Sequence, residues 1–283
     1  MLPSTLISIA DLKARRESWA TEGHKVAFVP TMGALHAGHL SLVRAARAQA
    51  DRVLVSIFVN PTQFAPHEDL SKYPRTISAD LTLLASEGVD AVFLPNDTTM
   101  YPQGFQTFVH GKSMARLLEG LSRPHHFEGV LTVVLKLFNL VKPDIVFLGK
   151  KDYQQWRLIE QMVEDLNFET KIIGCETLRE PDGLAMSSRN RFLSQEERPI
   201  AAAIHRGLQA TRQLFHAGER SATKLLAACH EEIASHKELQ LDYIEIRKRS
   251  DLNVFESDLD APAVLLVAVK LGATRLIDNI ELD

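Results

Sequence analysis

Between residues 25 and 175, short strand-like runs alternate with amphipathic segments, and this alternation limits the possible folds more than any other property of the chain. Strands are predicted at Lys25–Val29, Arg52–Val59, Val89–Leu94, Gln106–His110, Asp144–Leu148 and Lys171–Cys175. Helices are predicted from the His-Gly turn to about Ala50, at Ser78–Glu87, at Phe127–Val141 and over 152–165. A first helix is expected from a Ser8 cap to about Glu22, with Gly23 as its stop. The run Arg52-Val-Leu-Val-Ser-Ile-Phe-Val59 is apolar at almost every position, as a parallel strand covered on both faces requires. The pattern predicts an α/β doubly wound parallel sheet. Such sheets bind ligands beyond the carboxyl ends of their strands, where the polar segments 30–39, 60–64 and 149–152 all fall.

After Glu180-Pro-Asp-Gly183 the rhythm changes. Helices near 195–217 and 221–237, strands near 240–247 and 263–270 and a last apolar run predict a smaller α+β domain. The expected boundaries are 1–177 and 178–283. A length of 283 residues accommodates both. The net charge of −4 gives no bulk electrostatic grip on nucleic acid. Cys175 and Cys229 have no metal-like or redox-like spacing and read as buried thiols in a reducing compartment. No run approaches the roughly 20 apolar residues of a membrane span; Val130–Val141 is interrupted by Lys136 and Asn139 and reads as a buried helix. No basic stretch precedes an apolar core at Met1-Leu-Pro-Ser-Thr, so a cytoplasmic location is expected.

The densest chemistry lies at Pro30-Thr-Met-Gly-Ala-Leu-His-Ala-Gly-His39, where a strand turns into a helix. A helix N-terminus offers unpaired N–H groups and partial positive charge, a natural seat for phosphate. Glycine lets backbone approach a ligand, and histidine donates to an oxyanion. Other nucleotide and catalytic motifs are missing. Gly111-Lys-Ser113 would need glycine at 106 to end a phosphate loop, and Gln106 stands there. There is no Gly-x-Gly-x-x-Gly after a strand, no Gly-x-Ser-x-Gly and no His-Glu-x-x-His. His36 and His39 share a helical face at metal-ligand spacing, but no third ligand accompanies them. His125-His126 reads as a solvated loop pair.

The segment Val29–His39 resembles the His-x-Gly-His signature of the nucleotidylyltransferase superfamily, and its extended wording is similar to the pantoate–β-alanine ligase family. The resemblance continues through Phe58-Val-Asn-Pro-Thr-Gln-Phe64, Tyr73-Pro-Arg75, Arg123-Pro124, His126-Phe127 and Lys136-Leu-Phe-Asn139. It runs on through Gly149-Lys-Lys-Asp-Tyr-Gln-Gln155 and Arg179-Glu-Pro-Asp-Gly-Leu-Ala-Met-Ser-Ser-Arg-Asn190, covering almost the whole chain in order. Two positions depart from the family pattern: His125 replaces a usual glycine, and Lys150 replaces a usual acidic residue.

The resemblance implies a Rossmann-like domain of the nucleotidylyltransferase type. It also implies an AMP-forming ligase that adenylates pantoate with ATP and passes the acyl group to β-alanine. It assigns ATP to Met32, Gly33, Ala34, Leu35, His36, Ala37, Gly38 and His39, with Gly149, Lys150, Lys151 and Asp152. Leu178, Met186, Ser187, Ser188 and Arg189 complete that set, the last four as a Met-Ser-Ser-Arg loop in a lid domain. Catalysis falls to His36, His39, Lys151, Ser187, Ser188 and Arg189, and pantoate and β-alanine to Gln63, Gln155, Met32, Asn60 and Arg123. Mg²⁺ is expected on the triphosphate, with Asp80 as a candidate protein ligand. A homodimer is implied, without nucleic-acid or membrane partners. The alternatives are another small-molecule nucleotidylyltransferase and a nucleotide-binding regulatory protein without catalysis.

Overall fold

The computed structural model describes residues 2–65, 70–71 and 73–283. The chain divides into two compact units, Met1–Lys150 with Gln154–Glu176, and Lys151–Tyr153 with Thr177–Asp283. The three residues Lys151–Tyr153 thus belong to the second unit although the chain on either side of them belongs to the first.

The first unit contains β1 (Ser4–Leu6), α1 (Ile9–Thr21), β2 (Val26–Thr31), α2 (Ala37–Arg47), β3 (Arg52–Ile57), α3 (Ile77–Ser86) and β4 (Ala91–Phe93). It continues with α4 (Asp97–Met100), α5 (Glu119–Ser122), α6 (His126–Val141), β5 (Ile145–Gly149), α7 (Tyr153–Asp165, all but its first residue) and β6 (Lys171–Cys175). The strands form one sheet in the order β1-β4-β3-β2-β5-β6, and every pair is parallel. This is the expected doubly wound sheet. From β2 the chain winds outward through β3 and β4, then returns to lay β5 on the other flank of β2. The switch point lies between β2 and β5, and the His-Gly turn leaves the carboxyl end of β2 there.

Proline opens that point. Along β2, Thr31 faces β3 and accepts from Phe58 N–H, whereas Val26 faces β5 and accepts from Asp144 N–H. Facing alternates along a strand, so Pro30 faces β5, and proline has no N–H to give. The β2–β3 ladder runs to Thr31↔Ile57, while the β2–β5 ladder stops at Phe28↔Val146. The missing donor sits where the crevice begins.

Around β2 and β3 the core is dry: Val29, Val43, Val55 and Phe147 are fully buried. Each such side chain contributes about 1.5–3 kcal/mol by its removal from water. Ser8 and Asp11 form the capping box at the start of α1. Two expectations need correction. The run Gln106–His110 is not a strand: Val109 N–H donates to Thr132 Oγ1 of α6, and Phe105 and Phe108 stack edge to face at 5.3 Å. Its aromatic and β-branched residues pack on one another and toward α6 instead of joining the sheet. Conversely, Ser4–Leu6, for which the sequence predicts no strand, forms the sheet's edge strand against β4.

The second unit contains α8 (Glu197–Ala201), α9 (Ala203–His216), α10 (Ala222–Ala234) and an antiparallel sheet of β7 (Leu239–Lys248), β8 (Ala263–Leu271) and β9 (Thr274–Leu282). The helix expected over 195–217 is two helices, separated at Ala202. Ile204, Leu208, Leu225 and Cys229 from α9 and α10 bury against Leu265, Val267 and Ile280 of the sheet.

Candidate active site

The turn from β2 to α2 is held by three devices. Gly33 and Ala34 both have positive φ, 81° and 52°, a conformation that strains the alanine but not the glycine. Glycine is also required sterically, since a Cβ at position 33 would come within 2.9 Å of Ile57 Cγ2. Thr31 Oγ1 donates to Ser56 C=O at 2.8 Å and accepts from Gly33 N–H at 3.2 Å. Finally, the carboxylate of Asp80 on α3 accepts from Ala34 N–H at 3.0 Å and Leu35 N–H at 2.9 Å.

The two histidines cap their own helix. His36 is the N-cap of α2; its Nδ1 accepts from Gly38 N–H at 3.2 Å, and His39 Nδ1 accepts from His36 N–H at 3.3 Å. The pair forms a reciprocal box in which imidazoles replace the usual hydroxyl and carboxylate. The rings lie 4.1 Å apart, centroid to centroid. Backbone N–H groups only donate, so each Nδ1 is an acceptor and each neutral ring carries its proton on Nε2. Each imidazole of the turn thus keeps its N–H on Nε2, beside the N-terminus of α2.

Beside it stands the 3₁₀ turn Pro61–Gln63, capped by Asn60. Asn60 Oδ1 accepts from Thr62 N–H and Oγ1 and from Tyr101 O–H, the last at 2.7 Å. Its Nδ2 donates to Gly129 C=O at 3.1 Å and Gln63 Oε1 at 3.0 Å. Gln63 Nε2 is thereby turned toward Met32 Sδ, 3.3 Å away, a weak acceptor. Helix α6 reaches this turn because residue 129 is glycine; a Cβ there would meet the Thr62 carbonyl at 2.5 Å. Gln63 C=O accepts from Arg123 at 3.3 Å and faces His126 Nδ1 at 3.0 Å. His126 is thus half-buried and engaged, not the solvated residue expected from sequence. A carbonyl only accepts, so its proton sits on Nδ1, the opposite tautomer to His36 and His39.

Met32, Asn60 and Arg123 are therefore brought together around Gln63. Gln155 is half-buried on α7 and forms no side-chain hydrogen bond among the described residues. Its neighbour Gln154 is fully engaged, donating to Met114 and Leu117 C=O and accepting from Glu119 N–H. A cleft of about 400 Å³ adjoins Met32 and Gly33, walled by Phe58, Arg75, Thr76 and Asp80. The Arg75 guanidinium is exposed and makes no hydrogen bond or ion pair among the described residues.

Asp80 does not present itself as a metal ligand. Both of its oxygens are taken by backbone N–H groups and Thr76 Oγ1, and the residue is 1% exposed. Among the described residues no cluster of three His, Cys, Asp or Glu forms a metal site. Magnesium suits this donor set only as an ion carried by triphosphate oxygens and water.

In the second unit, β9 organises the expected phosphate ligands. Asn279 Nδ2 donates to Lys151 C=O at 2.9 Å, and Lys151 Nζ lies 3.8 Å from Asp152. Buried Asp278 receives a bidentate fork from Arg179 at 2.6 and 3.0 Å, and Arg179 also donates to Gly183 C=O. Met186 N–H donates to Leu178 C=O, so those two expected residues face each other across the pinned loop. Beyond it, Ser188–Phe192 form a 3₁₀ turn capped by Ser187, whose Oγ accepts from Arg189 N–H. The Arg189 side chain is exposed and has no partner among the described residues. Gly149 ends β5 with open space where a Cβ would stand. Lys150, one of the two departures, is committed to Glu176 at 2.6 Å in the first unit.

Reasoning from sequence missed Asp278, Asn279 and Tyr101 altogether. The available signal was the adjacent polar pair Asp278-Asn279, set between apolar Leu276-Ile277 and Ile280 in the final run.

Comparisons with known proteins give the chain's family. A family model described as pantoate-beta-alanine ligase matches residues 4–281. Pantothenate synthetase of Syntrophotalea carbinolica is 48% identical over 96% of this chain and 95% of its own. The crystal structure of pantothenate synthetase from Thermus thermophilus superposes with a TM-score of 0.93 at 43% identity, covering 99% of both chains. Pantoate-beta-alanine ligase of Francisella tularensis, determined with beta-gamma ATP and beta-alanine, gives 0.80 at 38% identity over 99% of this chain and 97% of that one. With a switch-point His-Gly turn, a neighbouring amide pocket and family likeness over nearly its full length, the chain belongs to the pantoate–β-alanine ligase family.

Proposed function

We propose that this protein joins pantoate to β-alanine at the expense of ATP, through a pantoyl adenylate. In the first step a pantoate carboxylate oxygen attacks the α-phosphorus, and the bond to the departing pyrophosphate breaks. In the second the β-alanine amine attacks the acyl carbon. The C–N bond forms, the C–O bond to AMP breaks, and the amine proton is lost to solvent. The carrying observation is the reciprocal His36–His39 box, which sets two imidazoles with their protons on Nε2 side by side at a helix N-terminus. Such donors favour the first step because negative charge gathers on the α-phosphate as its fifth ligand arrives.

The other roles follow from chemistry. Gln63 Nε2, now against a thioether, gains by exchanging that contact for a substrate oxygen. Gln155 is its assigned counterpart, while Met32 and Phe58 offer apolar surface to the gem-dimethyl group. Asn60 and Arg123 hold Gln63 instead of competing for substrate. Lys151, Ser187, Ser188 and Arg189 are assigned to the triphosphate, which brings its own Mg²⁺. Gly149, Lys150, Asp152, Leu178 and Met186 are assigned to the remainder of ATP. No side chain is assigned as general base for amide formation; proximity of amine and adenylate supplies that step.

Among the described residues no helix is long and apolar enough to cross a membrane. A cytoplasmic homodimer completes the proposal, with light scattering to test the assembly. The deciding assay measures AMP formation with ATP, pantoate and β-alanine, each omitted in turn, and pyrophosphate exchange with ATP and pantoate alone. Exchange without β-alanine supports the adenylate route. Exchange with no amide product moves the protein to another nucleotidylyltransferase, and silence in both assays overturns the proposal.

A further inference from the structure

Two consecutive residues with positive φ, the second of them an alanine, do not hold their shape unaided. Ala34 in this region is strained relative to ordinary helical or extended backbone, because its Cβ crowds the following carbonyl. What opposes that strain comes from 46 residues away in sequence: the Asp80 carboxylate takes the N–H of Ala34 with one oxygen and of Leu35 with the other. Thr76 Oγ1 lies 3.2 Å from both oxygens and donates to the same carboxylate. The group is 1% exposed, so water does not compete for it. Leu35 precedes the His36 cap directly, so this clamp sets where α2 begins and where the two imidazoles point.

We infer that Asp80 is a positioning residue: its buried carboxylate locks the strained Gly33–Leu35 turn and thereby aims the His36 and His39 donors at the α-phosphate. The functional half of this inference rests on the reading of the turn as a phosphate seat. The geometric half does not. An asparagine at position 80 has one acceptor oxygen where the turn needs two, and its NH₂ would face a backbone N–H.

The test uses the full-length chain. In Asp80→Asn, hydrogen–deuterium exchange of the Ala34 and Leu35 amides should accelerate at least tenfold, with the C-terminal half of α2 unchanged. The maximal rate of ATP–pyrophosphate exchange should fall about 10- to 100-fold, with half-saturation by Mg²⁺ unmoved. Adding Ala34→Gly to Asp80→Asn should restore about fivefold, because glycine accepts positive φ without a Cβ. If Asp80→Asn does not fold, Thr76→Val removes only the hydroxyl donor and should give the same pattern at about two- to fivefold. Unchanged amide exchange overturns the clamp. So does a Mg²⁺ requirement that rises with the loss of rate, which would make Asp80 a metal ligand, and so does a double variant no better than the single. A wild-type protein without pyrophosphate exchange defeats the proposed function, while the amide measurement still decides the clamp.

Discussion

The two turns assigned to phosphate differ in how much of their geometry exists before ATP arrives. The turn at 32–39 is fixed: its positive-φ backbone, buried carboxylate and paired imidazoles leave little freedom. The turn at 187–192 is held by the Ser187 cap and by Asn190 Nδ2 on Ala185 C=O, and the Arg189 guanidinium engages nothing among the described residues. The stretch just before it is pinned, by Arg179 on Asp278 and by Arg198 on Asp182. On the proposed roles, rigidity belongs to the donors assigned to developing charge, and freedom to the cation assigned to collecting the triphosphate. Preorganised donors gain most in the transition state, whereas a mobile cation contributes mainly to capture.

His39→Ala puts the greatest strain on this contrast. It removes a donor and half of the cap, and pyrophosphate exchange should fall about 10³-fold. A loss below tenfold would erase the distinction between the turns. Arg189→Ala should cost about tenfold, mostly in the KM for ATP, because an exposed charge is partly screened. Its melting temperature should match wild type, since the side chain has no partner among the described residues to lose; a clear drop would mean that the second turn is also prebuilt. Gln63→Ala should raise the KM for pantoate about tenfold with a smaller change in kcat, the loss of one oriented amide hydrogen bond. An unchanged KM would remove Gln63 from the pocket.

The smallest effect concerns pH. Burial, then the nearby Arg179, hold His205 below its ordinary value of 6.5. A depressed base is neutral when folded, so the unfolded chain binds the extra proton. Stability is then complete above about pH 6.5 and is lost as the pH falls below it toward the folded value. The melting temperature should decline more between pH 7 and pH 5.5 in wild type than in His205→Gln. Equal slopes would show that the ring does not sense its burial.

Sequence made the scaffold legible because its signals are local. Apolar runs such as Arg52–Val59 declare buried parallel strands, and a proline-bounded turn between strand and helix declares a ligand edge. Edge elements were harder to read: three-residue β1 is too short for periodicity, and Gln106–His110 carries strand-like residues that satisfy themselves on α6. Motif wording supplied the identity of His36, His39 and Gln63, but not what holds them. Asp80 lies 46 residues from Ala34 and Asp278 lies 99 from Arg179, and no spacing rule connects such distant pairs. A carboxylate near a nucleotide site suggests a metal on composition alone, and only its two backbone donors assign it to the turn.

Lys151–Tyr153 count with the second unit although they interrupt the first, and this bears on how the molecule can be taken apart. A fragment ending at Glu176 would keep Lys151 without the Asn279 amide on its carbonyl, and Tyr153 without Glu281 and Arg249. A fragment beginning at Thr177 would keep the sheet and lack the lysine. On the role proposed for Lys151, neither piece inherits an intact half of the chemistry, so mixing the two should return activity only if the three residues find β9 again. A cut between the two units of such a chain therefore has no place at Glu176 that leaves both sets of contacts whole.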